Sequence, residues 1–470
     1  MISLLAFSSI SPYYTTLLPE PAVHPTQENH AVKKSLLSML AFVLLQSSVL
    51  AAGPGWWPQW RGPSGQGYVD DSRVPLEWSA TKNLLWKTPL PGSSHSTPVI
   101  WGERAFLTCA NRDGSERIVL CVRTSDGKIL WNKSVYKGAP ERTHGTNTHA
   151  SPSCVTDGER VYAFFGTPGL YCFDLDGKQL WHQSFGVFTS ETGWGIGASP
   201  VLFENLVIQN CDNNGPDFAP KGVAKKDCAA SELVALDMAS GKIVWRTPRN
   251  QGHGYSTPVL IPTPNGRVDL ALNGPHGVWG YDPKTGKEIW HCDRHPDDDR
   301  NKFGESIPVF NKELLFAPAG RESGFLQAIK LGGEGDLTKS GLAWELRRKG
   351  IRDVGSPVLV GEYLIFADGR GATLSVHDVK TGQQTYFERS PGAKGGKGGK
   401  GFYASPIVLN GKVLALRQDG VTFVLEPGAQ LKIVGQNTLS DGTDFSASPA
   451  VADGRLFLRS QTHLYCVGTK

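Results

Sequence analysis

The chain has 470 residues, 39% hydrophobic and 20% charged, enough apolar material for a large core and, by length alone, for about two or three domains. A formal net charge of +4 is small for this size and leaves no footprint for nucleic acid or an anionic membrane surface. With 55 glycines, 31 prolines, three methionines and no long stretch of helical apolar periodicity, the composition suits many short strands joined by turns and excludes a mainly helical protein.

Residues 33–52, KKSLLSMLAFVLLQSSVLAA, place two lysines before an apolar run from Leu36 to Leu45 and end on small residues. That is the layout of a secretory signal cut near Ala51 or Ala52. The run is too short, and too broken by Ser and Gln, to span a bilayer. Residues 1–31 are expected to be an extension upstream of a true start at Val32, so 1–52 form one signal-plus-extension segment. No Cys stands at the cleavage site to carry a lipid anchor. The expected location is the periplasm or the exterior, with nothing left in the membrane after cleavage.

Residues 53–80 open with WWPQWRGPSGQG at 56–67, rich in Trp, Gly and Pro and without strand alternation, as in a cap or strap. NLLWKTPL at 83–90 has the form of the last strand of a repeat whose beginning is missing. From there two phrases recur through 81–470. The first is STPVI (96–100), ASPSCV (150–155), ASPVL (198–202), STPVL (256–260), SIPVF (306–310), GSPVL (355–359), ASPIV (404–408) and ASPAV (447–451). The second is a Gly turn followed by apolar residues ending in Trp: SDGKILW, LDGKQLW, ALDMASGKIVW and PKTGKEIW put Trp131, Trp181, Trp245 and Trp290 in one slot, with Trp344 and Phe387 as weaker copies. Strand, Gly turn, strand is a hairpin signal, and repetition at a period near fifty residues is a propeller signal.

Each unit reads as four strands, with Pro tolerated at the start of the first. The last unit stops at LYCVG, 464–468, one strand short, and the orphan strand near Trp86 supplies what is missing. The expected fold is therefore all-β: an eight-bladed β-propeller of four-stranded blades, a single domain over 81–470, closed between the two ends of the chain.

The loops entering the first strands converge at one end of a central channel. Three positions before each Pro stand His95, His149, Gly197, Tyr255, Glu305, Val354, Tyr403 and Ser446; slightly earlier come Trp194, His253, Asp353 and Asp444. Such a polar and aromatic ring suits binding a metal or orienting a small ligand through its His and carboxylate groups and stacking a planar or sugar ring on its aromatic residues, and also suits a hydrated channel mouth. No metal-ligand spacing runs through it, and His144 and His149 on one loop do not supply one. AKGGKGGKG at 393–401 lacks the GKS or GKT ending of a phosphate loop and reads as a flexible basic loop on one face, with some capacity for anionic partners. HCDRHPDDDRNK at 291–302 gathers His291, Cys292, His295 and Asp297 to Asp299 without calcium-loop spacing and reads as a solvated loop. No catalytic motif stands out.

Among eight cysteines, Cys211 and Cys228 bracket the insertion 212–227 and are the candidate disulfide of an exported chain; Cys109 and Cys121 are a second possibility across neighbouring strands. Cys121, Cys172 and Cys466 sit in equivalent apolar strands and read as small buried hydrophobes.

The pairing of Ser-Pro-Val with Gly-Lys-x-x-Trp over 81–470 resembles the PQQ-like, BamB/quinoprotein-type eight-bladed propeller family, and the opening WPQWRGPSGQG is similar to the start of secreted members. The resemblance implies that Trp86, Trp131, Trp181, Trp245, Trp290 and Trp344 dock each blade on its neighbour, with the indole buried and its N–H in need of one partner. Quinoprotein dehydrogenases of this superfamily hold PQQ and Ca²⁺ over the axis beneath long loops, typically with an adjacent Cys-Cys pair; this sequence has no Cys-Cys. The BamB branch uses the same ring as a cofactor-free docking scaffold. The expectation is an exported, monomeric, non-catalytic scaffold that needs no cofactor and docks a protein or polysaccharide through its loop face. The alternative is a divergent quinoprotein-like oxidoreductase or other small-ligand enzyme at the central channel, with PQQ and calcium, whose site draws on His95, His149, Trp194, His253, Tyr255, Glu305, Asp353 and Tyr403.

Overall fold

Each repeat supplies four runs of apolar, β-branched and aromatic residues, too short to bury a face alone, so the runs pair into a sheet and the sheets stack. The computed structural model describes residues 55–252, 254–296, 304–319, 324–348, 355–369, 371–394 and 399–469. Among these residues the strands form eight sheets, the blades of an eight-bladed β-propeller. Blade 1 runs from an inner strand, Val99–Trp101, through Arg104–Ala110 and Glu116–Arg123 to an outer strand, Ile129–Lys137. Blades 2 to 7 repeat this plan from inner strands at Val155–Thr156, Val201–Phe203, Val259–Pro262, Val309–Phe310, Val358–Val360 and Ile407–Leu409. Blade 8 takes Ala450–Ala452, Arg455–Arg459 and His463–Val467 from one end of the chain and its outer strand, Leu84–Pro89, from the other. Trp86 stands opposite Cys466, and the ring closes with no open edge between first and last repeat.

The Gly-turn-then-Trp phrase is half of two different joints. Trp131 lies on the turn glycine of the next blade, Gly177, so closely that a Cβ there would be 2.6 Å from the ring, and its Nε1 donates to Leu175 O at 3.0 Å. Trp86, Trp181, Trp245 and Trp344 do the same to Gly127, Gly241, Gly286 and Gly382, donating to Thr124, Met238, Pro283 and Val379. An aromatic ring of this kind takes on the order of 200 Å² out of water. The slot is aimed by a register irregularity one residue before it: Cys172 faces Trp181 but Phe173 faces Gln179, leaving Leu180 as the extra residue. The same bulge leaves Leu130 and Val244 over, which is why these apolar side chains stand exposed. The residue opposite the slot is small, and Cys121, Cys172 and Cys466 are buried there.

Three slots depart from the pattern. Trp290 faces Gly280, where a Cβ would be 2.1 Å from the indole; the ring folds back over its own blade, and Nε1 donates to Asp269 Oδ2 at 2.8 Å. That joint is bridged instead by Gly335–Asp336, paired parallel to the outer strand of blade 4, Glu288–Asp293. In blade 6 the slot belongs to Tyr386, opposite Val376, so the expected copy, Phe387, is one residue off and exposed. In blade 7 it is Gly435, and the buried Trp78 of the N-terminal strap joins the core of blades 7 and 8, its backbone N–H donating to Asn437 Oδ1 at 2.8 Å.

Neither expected cysteine pair is joined. Cys211 is buried with Phe185, Val207 and Val234, whereas Cys228, half-buried, turns its thiol to Ala224 O at 3.8 Å. Cys109 faces Ile118 and Cys121 faces Phe106, three positions apart along the ladder. The insertion between Cys211 and Cys228 holds two short helical turns, Pro216–Phe218 and Lys225–Asp227. No helix among the described residues is long and apolar enough to cross a membrane.

Candidate functional site

The inner strands start with a residue whose hydroxyl belts the axis. The N–H of Thr97 donates to Ser153 Oγ, that of Ser153 to Ser199 Oγ and that of Ser199 to Thr257 Oγ1, each at 2.9 Å. On the far side Ile307 donates to Ser356 Oγ and Ser356 to Ser405 Oγ at 2.9 Å, and Ser405 to Ser448 Oγ at 3.0 Å. Thr97 Oγ1 donates to Ser448 O at 3.1 Å, and Ile307, without a hydroxyl, interrupts the belt. A Ser or Thr hydroxyl thus ties one inner strand to the next in seven of the eight blades, from the residue before Pro except in blade 2, where it is Ser153.

The strap joins this ring. Trp56–Trp57 pairs with the inner strand of blade 1 and Tyr68–Val69 with that of blade 7. Between them, Trp60 reaches the belt and donates from Nε1 to Ser448 Oγ at 3.3 Å. Arg61, fully buried, donates to Gln66 O at 2.8 Å, Pro357 O at 2.7 Å and Ser356 O at 3.3 Å. Its burial pulls the guanidinium down to about 10, still charged at neutral pH. Residues 56–69 of the segment expected as a cap at 53–80 thus reach the inner strands of blades 1, 6, 7 and 8.

Next to the strap lies a cavity of about 610 Å³ with Trp60 and the hydroxyls of Ser153, Ser199, Thr257, Ser405 and Ser448 among its lining residues. Two positions before the belt residues stand His95, Ser151, Gly197, Tyr255, Glu305, Tyr403 and Ser446, all on the cavity wall. His144, Asn147, Trp194, Lys400, Gln418 and Asp444 come from the surrounding loops. The structure therefore brings together His95, Trp194, Tyr255, Glu305 and Tyr403 from the sequence-derived set. His149 is the correction. Blade 2 is in register on Ser153, not on Pro152, so Ser151 takes the wall position, while His149 packs on Gly114 and donates from Nε2 to Glu141 O at 2.9 Å. His253, Asp353 and Val354 lie outside the described residues.

Trp194 is held from three sides. The His144 ring lies 3.9 Å from it, Asn147 Nδ2 donates to Trp194 O at 2.7 Å, and Gly193 and Gly195, at φ 66° and 84°, fold the loop around it. Lys400, delivered by the Gly/Lys-rich loop, pairs with Asp444, and Gly401 N donates to Gln418 Oε1 at 3.2 Å. Residues 395–398 of that loop lie outside the described residues. Burial, and then the Arg459 guanidinium, pull the His95 imidazole down to about 4, so it is neutral at physiological pH. Its Nε2, like Ser446 Oγ, is buried without a hydrogen-bond partner.

The 291–302 cluster does not assemble: His291 bonds Glu288 at 3.0 Å, Cys292 is core, His295 stacks on Phe325 at 4.9 Å, and Asp297 to Asp299 lie outside the described residues. Ser151, Asn147, Gln418 and Trp60 were not legible as site residues. The signal that Ser151 takes the wall position was Ser153, the second Ser of ASPSCV, and for Trp60 it was the Trp-Arg-Gly density of the strap.

A family model described as outer membrane protein assembly factor BamB matches residues 65–216 and 228–334, more than half of the chain. The chain belongs to that family. BamB of Burkholderia pseudomallei (strain K96243) is 21% identical over 398 residues, covering 76% of this chain and 93% of that protein. A polyvinylalcohol dehydrogenase of a Pseudomonas species is also 21% identical, over 349 residues and 63% of this chain; the chain spans about half of that enzyme, 51%. Among solved structures, a europium-containing methanol dehydrogenase superposes with a TM-score of 0.61 at 11% identity, covering 91% of this chain and 100% of that one, a likeness of fold. The BamB family and dehydrogenase neighbours thus share one propeller.

A PQQ–Ca²⁺ centre asks for converging metal donors and for cations to meet the carboxylates of the quinone. Among the described residues no three His, Cys, Asp or Glu side chains converge as a metal-ligating set. Lys400, the lysine among the described lining residues, is already paired with Asp444. The described residues do not fit that pair of cofactors.

Proposed function

We propose that this BamB-family propeller is an exported, monomeric, non-catalytic binding scaffold of the cell envelope that docks a protein or polysaccharide through its loop face. The observation that carries the reading is the axial cavity: Trp60 of the strap and the belt hydroxyls line it together with residues of the surrounding loops, as aromatic and hydrogen-bonding side chains. The signal segment 33–52 supports export, and the BamB relative supports an envelope setting. The test is photo-cross-linking in intact cells from Thr146 and Lys400 at the loop face and from Val244 on an outer strand. Adducts from the first two and not the third are expected. Adducts only from Val244 overturn the reading.

The second reading is a divergent quinoprotein-like oxidoreductase, supported by the similarity to polyvinylalcohol dehydrogenase. Its check is a titration with PQQ and Ca²⁺ followed by quinone absorbance. Saturable binding that Ca²⁺ strengthens and that Glu305→Ala abolishes would replace the scaffold reading; no binding leaves that reading in place.

A further inference from the structure

We infer that the axial cavity takes the end of an uncharged glycan chain, an inference that rests on the loop-face reading above and narrows it to one ligand chemistry. Four observations converge. The first is the pair of orphaned atoms, His95 Nε2 and Ser446 Oγ, both buried on residues of the wall. A buried polar atom left unpaired costs roughly 1–3 kcal/mol, which a hydrogen-bonding ligand offsets. The neutral His95 ring carries one donor and one acceptor nitrogen, and a serine hydroxyl both donates and accepts.

The second is the floor. The hydroxyls of Ser153, Ser199 and Ser405 each accept a backbone N–H, which leaves each its own hydrogen to donate. Asp444 and Gln418, among the loop residues, add carboxylate and amide oxygens as acceptors. A ligand that fits must offer donors and acceptors in alternation, and a hydroxyl group is both.

The third is charge. Lys400, the lysine among the described lining residues, is paired with Asp444. An anionic ligand meets the Asp444 carboxylate with no lysine or arginine to spare among the described lining residues, while a wholly apolar ligand leaves the floor hydroxyls dry. The fourth is the aromatic surface. Trp194 is fixed in place by His144 and Asn147, and Tyr403 stands on the wall, so two aromatic side chains border the cavity, the kind of group on which the C–H side of a sugar ring packs.

The strap adds geometry. With Trp60 and the belt hydroxyls lining the cavity and loop residues surrounding it, a polymer enters end-on from the loop face and stops at the belt. At about 610 Å³ the cavity is in the range that holds a ligand of several rings, here a short stretch of terminal sugar units. The chain end, and not the middle of a strand, is what the protein recognises.

The experiment uses the mature chain and calorimetric titration with maltotetraose, cellotetraose, xylotetraose and chitotetraose, with tetragalacturonate and tetraglycine as anionic and peptide counterparts. Saturable one-to-one binding of at least one neutral tetrasaccharide is expected, weakened about tenfold or more by Trp194→Ala and by His95→Ala. Trp194→Phe, which keeps a ring on the loop, retains more affinity than Trp194→Ala, and Val244→Ala on an outer strand changes nothing. No saturation by any neutral sugar, preference for tetragalacturonate or tetraglycine, or binding indifferent to both Trp194→Ala and His95→Ala overturns the inference. Loop-face cross-links that persist while every sugar fails leave the docking scaffold standing without its glycan end. Sugar binding with cross-links only from Val244 does the reverse.

Discussion

Trp60 and Ser448 are 388 positions apart in the chain, and the indole N–H of the first donates to the hydroxyl of the second at 3.3 Å. Ser448 Oγ also accepts the backbone N–H of Ser405, so one hydroxyl ties the strap to the inner strands of blades 7 and 8. The strap and the joint between blades 7 and 8 are therefore coupled at a single atom.

Truncating the Trp60 side chain tests that coupling. Trp60→Ala is expected to lower stability by on the order of 2–3 kcal/mol, less than for a fully buried tryptophan because one face borders the cavity. Trp60→Phe, which loses only the hydrogen bond, costs about 1 kcal/mol. Arg61→Met leaves the carbonyls of Gln66, Ser356 and Pro357 unpaired and is expected to cost roughly 2–4 kcal/mol. Urea unfolding of the three variants checks the order; an Arg61→Met chain as stable as the parent would show that the strap does not hold the ring.

The joints make a paired prediction at two glycines. At Gly177 a side chain meets the Trp131 ring at 2.6 Å and φ is 85°; at Gly222 φ is 89° but nothing lies within 4 Å. Gly222→Ala is expected to cost about 1 kcal/mol, the backbone strain alone. Gly177→Ala adds displacement of a docked indole and is expected to cost roughly 2–3 kcal/mol more. Equal losses in thermal unfolding would mean that indole docking contributes little.

Acid stability follows from two histidines. Burial lowers both His95 and His377 from 6.5 to about 4. Each binds its proton more readily in the unfolded chain, so stability rises with pH across that window. The contribution is complete above about 6.5 and is lost as pH falls through about 4. The melting temperature is expected to fall over this range, with His95→Asn and His377→Asn each flattening the fall. A profile unchanged by both substitutions would remove the histidines as its cause.

Thiol chemistry distinguishes Cys228 from the other cysteines. The other seven are buried, and burial pushes Cys121, Cys154, Cys172, Cys292 and Cys466 up to about 12, far from the reactive thiolate. Maleimide labelling of the native protein is expected to modify Cys228 alone, with the rest reacting after unfolding. A Cys228 that labels only after reduction would establish the bridge to Cys211 that the spacing suggested.

The eight Ser-Pro or Ser-x-Pro phrases and the Gly-turn-then-Trp phrases determined the strand count, the closure through Trp86 and most of the cavity wall. A propeller repeats one local pattern, and equivalent positions in equivalent strands must converge on one axis. The exceptions needed the tertiary structure. Blade 2 is aligned on Ser153, because the belt hydrogen bond outweighs the proline, and that substitutes Ser151 for His149 at the cavity. Trp290 turns inward because Gly280 leaves room for it, which no property of the Trp phrase itself reveals. The strap residues Trp60, Arg61 and Trp78 act on blades hundreds of positions away, and sequence carries no sign of such a contact. Local propensity and repetition decide which strands form and where their ends point; only packing across the ring decides which side chains line the cavity at the axis.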